Sequence, residues 1–125
     1  VVCAIIERDS RFLAALRAPG QSNAGMWEFP GGKVHSGESH EDALFRELIE
    51  ELSISVATIR KYPSHIHVYP AITIELIPFV CEILSGEPVP AEHAEIQWVD
   101  EKEARALVWA AADVQVLEKY LRETS

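Results

Sequence analysis

The sequence predicts an α+β domain, an α/β/α sandwich in which helices cover a mixed, mostly antiparallel sheet. Three observations carry that prediction. Short apolar runs of strand length recur between turn clusters rich in Gly, Pro, Ser and Asp. One amphipathic stretch interrupts them at residues 39–52, and a second closes the chain at residues 112–122. The length of 125 residues suits a single domain spanning 1–125 with a real hydrophobic core.

Each element follows from local chemistry. Residues 1–6 form an apolar run that reads as a buried strand, 8–11 a turn, and 12–17 a second strand. The loop at 18–25 holds Pro19, Gly20, Asn23 and Gly25, and a short extended piece at 26–29 is stopped by Pro30-Gly31-Gly32. Ser39 is placed to cap a helix, with Asp42 three residues on, and the helix runs to about Leu52. Residues 54–62 are rich in strand formers, 65–69 offer another extended piece, and 72–84 a long strand bent at Pro78. Residues 85–88 form a turn and 95–99 the last strand. Asp100 caps a short helix to about 107, with Glu103 three residues later. The closing helix places Val116, Leu117 and Tyr120 on one side.

Composition narrows the function classes. A net charge of -9 argues against a nucleic-acid groove, which needs a basic stripe. It is also awkward for a polyphosphate substrate unless divalent cations neutralise both sides. No run approaches a membrane span and no signal-peptide pattern opens the chain, so neither nucleic acid nor membrane is an expected partner. Cys3 and Cys81 each sit in an apolar strand without a partner at metal spacing; reduced, buried thiols and a cytoplasmic location are expected. The chain begins at Val1, and a short preceding segment with the initiator Met is expected.

The most informative stretch is Gly32-Lys33-Val34-His35-Ser36-Gly37-Glu38 followed by Arg46-Glu47-Leu48-Ile49-Glu50-Glu51-Leu52-Ser53-Ile54. On a helical wheel Glu47, Glu50 and Glu51 fall within about 100° of arc, while Leu44, Phe45, Leu48, Ile49 and Leu52 fill the adjacent arc facing the core. The plainer reading is a solvated acidic face. Two penalties weigh against it. Glu47 and Glu51 are a like-charge i,i+4 pair, unfavourable by roughly 0.2–0.5 kcal/mol. All three also lie near the C-terminal end of the helix, where the macrodipole disfavours anions by roughly 0.3–1 kcal/mol. A cluster of carboxylates tolerated at such a place binds divalent metal, and a glycine-rich loop feeding it points to pyrophosphate chemistry.

The spacing Gly32, five residues, Glu38, seven residues, Arg46-Glu47-Leu48, one residue, Glu50-Glu51, one residue, Ser53-Ile54 resembles the Nudix box, here residues 32–54. It departs from the box at Ser53, where the family has Gly just past the helix end. Ser there takes a left-handed conformation at a cost of roughly 1–2 kcal/mol. The preceding Trp27-Glu28-Phe29-Pro30-Gly31-Gly32-Lys33 looks like the MutT-type branch, which includes 8-oxo-dGTP and CTP pyrophosphohydrolases. Ala4-Ile5-Ile6, Leu16-Arg17 and Gln97-Trp98-Val99 extend the likeness over nearly the whole chain.

The resemblance implies a Nudix fold and a Mg²⁺-dependent nucleoside triphosphate pyrophosphohydrolase, with Mn²⁺ as a substitute cation. The implied metal ligands are Glu50 and Glu51, with Glu47 beside them, the Gly31 carbonyl, and Glu38 and Glu92 as further candidates. Glu38 alternatively stabilises the loop. Glu47 is the implied general base, with Glu92 as its rival, and Arg46 orients the carboxylates. Arg17 and Lys33 are candidate phosphate contacts, although a solvated strand-end Arg is an equally good reading of Arg17. Phe29 and Asp113 are candidate base contacts. An ionised Asp accepts only, and so suits the N1–H and exocyclic amine of guanine-type bases; the plainer reading of Asp113 is a first-turn helix acid. The implied substrate is an oxidised or modified nucleotide such as 8-oxo-dGTP, with CTP or a modified cytidine triphosphate as the alternative, and the implied state is a monomer. A non-catalytic nucleotide-sensing module of the same fold would be expected to lose the carboxylates that this chain keeps. His65 and His67 alternate along a strand and are expected at a solvated rim. Ile74, Leu76 and Phe79 either line the pocket or pack in the core, and Trp98 and Trp109 are expected core anchors.

Overall fold

The structure is a computed structural model and describes residues 1–124. Its strands are β1 (Val2–Arg8), β2 (Arg11–Leu16), β3 (Trp27–Glu28), β4 (Gly31–Gly32), β5 (Ser55–Lys61), β6 (His65–Val68), β7 (Thr73–Ser85) and β8 (Glu95–Val99). Its helices are α1 (His40–Leu52), α2 (Glu101–Arg105) and α3 (Ala111–Thr124). The sheet runs β3-β2-β1-β7-β5, with β4 on β1, β6 on β7 and β8 on β2. Every pairing is antiparallel except β1 with β7, where Val2 lies opposite Ile77 and Glu7 opposite Glu82. This is the mixed, mostly antiparallel sheet expected from the strand pattern.

Alternation along β1 divides the core in two. Val2, Ala4 and Ile6 face Leu44, Leu48 and Leu52 of α1, while Cys3 and Ile5 face Val116, Leu117 and Tyr120 of α3. Helices therefore cover opposite faces of the sheet. Both thiols are buried and free. Pro78 does not break β7. Ile77 sends its N–H to Val1 O at 2.8 Å, so the next backbone position points to the opposite edge. There β6 ends its pairing at Leu76 and β5 begins at Phe79, so the N–H that Pro78 lacks has no ladder partner to lose.

The helix starts and stops follow their chemistry. The Ser39 side chain accepts from Asp42 N–H at 3.1 Å. Asp100 and Glu103 close a reciprocal capping box on α2. Ser53 ends α1 at φ 60°, ψ 36°, the left-handed conformation that the resemblance anticipates for that position. Ser53→Gly removes the Cβ penalty there, and thermal unfolding should show a gain of about 1 kcal/mol, or about 4 °C in Tm. One face assignment is corrected. Ile49 is 56 % exposed, while Glu51 is 7 % exposed. The apolar stripe of α1 is narrower than its sequence pattern, because the last turn rolls Glu51 inward toward β4. Phe79 packs in the core beside α1 rather than at a pocket.

Candidate active site

The site is assembled where β4 meets α1. A Cβ on Gly31 would stand 2.0 Å from Val2 O, and a Cβ on Gly32 would stand 2.4 Å from the carboxyl carbon of Glu47. Only bare backbone lets β4 lie this close to both β1 and the carboxylate helix. The Gly31 N–H donates to Glu51 Oε2 at 3.1 Å.

Arg46 is the hub of the acidic face. Its Nε and Nη2 grip Glu38 at 2.7 and 3.0 Å. Nη1 reaches Glu47 Oε1 at 2.9 Å and Glu50 Oε2 at 3.4 Å, and Nη2 also donates to Lys33 O at 2.9 Å. The bidentate pair with Arg46, helped by the His35 N–H, holds the Glu38 carboxyl down at about 2. Arg46 thus clips the glycine loop to the helix and orients three acids.

Glu51 has no such cation. Burial raises its carboxyl to about 9, and the charges of Glu47, Glu28 and Glu92 add to that rise, while the Gly31 N–H opposes it. Among the described residues no three His, Cys, Asp or Glu side chains converge as a preformed metal cage. The donor set nevertheless fits a hard divalent cation. Glu47, Glu50, Glu51 and the Gly31 carbonyl supply oxygen only. Glu51 is a buried acid whose ionised form lacks a countercharge, and the bare Gly32 leaves room for the Glu47 carboxylate.

Beside this face lies a cavity of about 220 Å³, bordered among others by Arg17, Glu28, Gly32, Lys33, Tyr69 and Asp113. The backbone explains why Asp113 reaches it. Trp27 N–H donates to Val108 O and Ala110 N–H to Trp27 O, both at 2.8 Å. These two bonds dock the start of α3 against β3, and Asp113 Oδ2 accepts from Phe29 N–H at 2.9 Å. Asp113 is buried, and burial raises its carboxyl to about 8, with Glu28 adding to the rise and the Phe29 N–H and Arg17 opposing it. Burial thus favours the neutral acid, a form that can donate as well as accept.

Other expected residues fall as follows. Phe29 borders the cavity, but its ring is packed between Phe12 and Trp109, with centroids 6.1 and 4.9 Å away, so it presents no open stacking face. Ile74 and Leu76 line the cavity. Lys33 is exposed at its mouth. Glu92 is exposed on the loop before β8, close enough to Glu51 to raise its pKa. Trp109 is a core anchor, and Trp98 is half-buried under the Arg8 guanidinium at 4.3 Å. His67 meets Tyr69 edge-on. A larger groove of about 470 Å³, between Tyr62 and α3, shares no residue with the glycine loop or α1. Sequence reasoning missed Glu28 and His93. Arg17 Nη1 donates to Glu28 Oε1 at 2.9 Å, and His93 Nε2 lies 2.9 Å from Glu28 Oε2. The available signal was Glu28 itself, an acid inside an otherwise apolar and glycine run; nothing in the spacing marked His93.

No helix of the described residues is long and apolar enough to cross a membrane. The CTP pyrophosphohydrolase of Escherichia coli is 40% identical over 122 residues, covering 97% of this chain and 90% of that protein. The 8-oxo-dGTP diphosphatase of Haemophilus influenzae is 35% identical over 108 residues, covering 86% and 79%. Among solved structures, the MutT protein of methicillin-resistant Staphylococcus aureus superposes with a TM-score of 0.78 at 36% identity, covering 98% of this chain and 95% of that one. The family model described as the NUDIX domain matches residues 1–119. With the glycine loop, the Arg46 hub and the carboxylate helix in place, the chain belongs to the NUDIX domain family.

Proposed function

We propose that this chain, acting as a single domain, is a cytoplasmic, monomeric, Mg²⁺-dependent nucleoside triphosphate pyrophosphohydrolase that releases a nucleoside monophosphate and pyrophosphate. The observation that carries the proposal is the junction of two features. The Glu47–Glu51 acids stand against bare backbone at β4, and β4 also borders the cavity holding Asp113. A triphosphate laid across β4 places its base in the cavity and its phosphates over the acids.

Glu50, Glu51 and the Gly31 carbonyl would hold the cation, with Glu47 beside them, and Glu92 and Glu38 would complete the acidic surround. A divalent cation bound there neutralises phosphoryl oxygens and lowers the pKa of water. Arg17 and Lys33 supply positive charge to the phosphates from the cavity wall. Arg46 fixes Glu47 through Oε1, which leaves Oε2 to take the proton from the attacking water as the phosphoanhydride P–O bond breaks. Pyrophosphate release from a nucleotide panel, with and without Mg²⁺, tests this. Absence of Mg²⁺-dependent turnover for every nucleotide, or unchanged turnover in Glu50→Gln, rejects it.

The base preference follows from Asp113. Relatives named for 8-oxo-dGTP and for CTP both occur at 35% to 40% identity. The ionised acid accepts from the two N–H donors of an oxidised guanine, which is our first reading. The neutral acid favoured near pH 7 instead matches the donor–acceptor edge of cytosine, and this favours CTP or a modified cytidine triphosphate as the second. The ratio of kcat/KM for 8-oxo-dGTP over CTP should therefore rise as pH passes about 8. Asp113→Asn, permanently neutral, should flatten that dependence. Asp113→Ala should raise KM for the preferred nucleotide about 30-fold with little change in metal affinity, as expected when a buried polar contact to the base is lost.

A further inference from the structure

Glu28 is the meeting point of three separate segments. On one side it holds Arg17, whose Nε and Nη2 are engaged by the carbonyl and hydroxyl of Ser22. On the other side it meets His93, whose side chain is 3 % exposed. His93 Nδ1 is buried with no hydrogen-bond partner. A buried imidazole with one bare nitrogen is a poor core residue, since an apolar side chain would fill the space without the desolvation loss. The contact that offsets this loss is the one from Nε2 to Glu28.

The position of His93 gives that contact a task. It follows Glu92 directly on the loop between β7 and β8. The backbone of this loop is held at Val89 and Ala91, whose N–H groups donate to Leu52 O and Glu51 O at 3.0 Å, and at Ala94, which donates to Leu16 O at 2.9 Å. Between Ala91 and Ala94, the exposed Gln21 amide makes a long contact to Glu92 O at 3.5 Å, and the side chain of His93 is the buried anchor. Among the described residues no hydrogen bond or ion pair involves the Glu92 carboxylate, and the buried side chain of the adjacent His93 fixes where the loop presents it.

We infer that Glu28 and His93 are a positioning pair, in which one carboxylate aims Arg17 into the cavity and, through His93, holds the Glu92 loop against the end of α1. The inference rests on the pyrophosphohydrolase reading for its effect on turnover, but the mechanical part stands on the contacts alone. Neither residue touches the reacting atoms; both act through Arg17 and Glu92.

The test compares wild type, His93→Leu, His93→Gln, Glu92→Gln and the His93→Leu/Glu92→Gln double variant, well below each melting temperature. His93→Leu should lower kcat about 30-fold with KM within about threefold, the pattern of a misplaced group rather than a lost substrate contact. His93→Gln, whose amide reaches Glu28, should recover to within about threefold. The double variant should be no slower than Glu92→Gln, because two residues acting through one carboxylate are not additive. Hydrogen exchange of residues 86–94 should speed up about tenfold in His93→Leu and stay near wild type in His93→Gln. Losses that multiply in the double variant, or unchanged exchange in His93→Leu, overturn the pair. A wild type that hydrolyses no nucleotide overturns the functional reading instead, and the exchange data still decide whether His93 holds the loop.

Discussion

Glu51→Gln should make the metal-free protein more stable at alkaline pH while lowering kcat roughly 10³-fold, about 4 kcal/mol of barrier. The two effects have opposite signs for one reason. The folded carboxyl titrates at about 9 because it is buried beside Glu47, Glu28 and Glu92, whereas the unfolded one titrates near its ordinary value. Between those two values the native state binds more protons than the unfolded state. The stability of the metal-free protein therefore falls as pH rises through that window. Gln keeps the shape and still accepts the Gly31 N–H, but carries no charge to desolvate. Its stability curve should be flatter from about pH 5 to 9 than that of wild type. Added Mg²⁺ should raise the melting temperature of wild type, more so at high pH where no proton must first be displaced, and this increment should largely vanish in Glu51→Gln. Melting curves against pH, with and without Mg²⁺, check all three statements.

Gly32→Ala should lower kcat about 100-fold with the fold intact. The new methyl would stand 2.4 Å from the Glu47 carboxyl carbon and 2.6 Å from its oxygens. The backbone cannot retreat freely, because Gly32 pairs with Val2 on β1. Glu47 is a flexible side chain and yields, taking with it the Arg46 contact that also orients Glu38 and Glu50. Displacement of a carboxylate by about 1 Å is enough for a loss of that size. Stability should change little, since the yielding group is a flexible polar side chain that keeps some contact with solvent. Retention of wild-type kcat in Gly32→Ala would show that Glu47 works from a different position.

Much of this was legible in the sequence, and the residues that were not have physical reasons. Ser39 and Asp100 were readable because caps act within four residues. The Glu47–Glu51 cluster was readable because one helix carries it, and Ser53 because the end of that helix requires a left-handed residue. Ile49 was misplaced because a wheel describes an isolated helix; which edge of the apolar stripe is buried depends on β4, whose two glycines draw Glu51 inward. The protonation of Asp113 depends on burial, which spacing does not encode. The Glu28–His93 contact joins residues 65 apart in the chain, and no local pattern marks such a pair. Why β7 tolerates Pro78 was not readable, because two strands sharing one edge of β7 cannot be inferred from β7 alone.

The parallel pairing of β1 with β7 has a consequence for the birth of the protein. β1 is made before its partner β7, which lies about 75 residues downstream, and closure of so long a loop must precede the pairing. Until β7 emerges, Val2, Ala4, Ile5 and Ile6, all of which finish fully buried, belong to a strand that lacks its main neighbour. The nascent chain therefore carries an adhesive edge from the emergence of β1 until that of β7, and its yield in the cell depends on how well chaperones shield that edge.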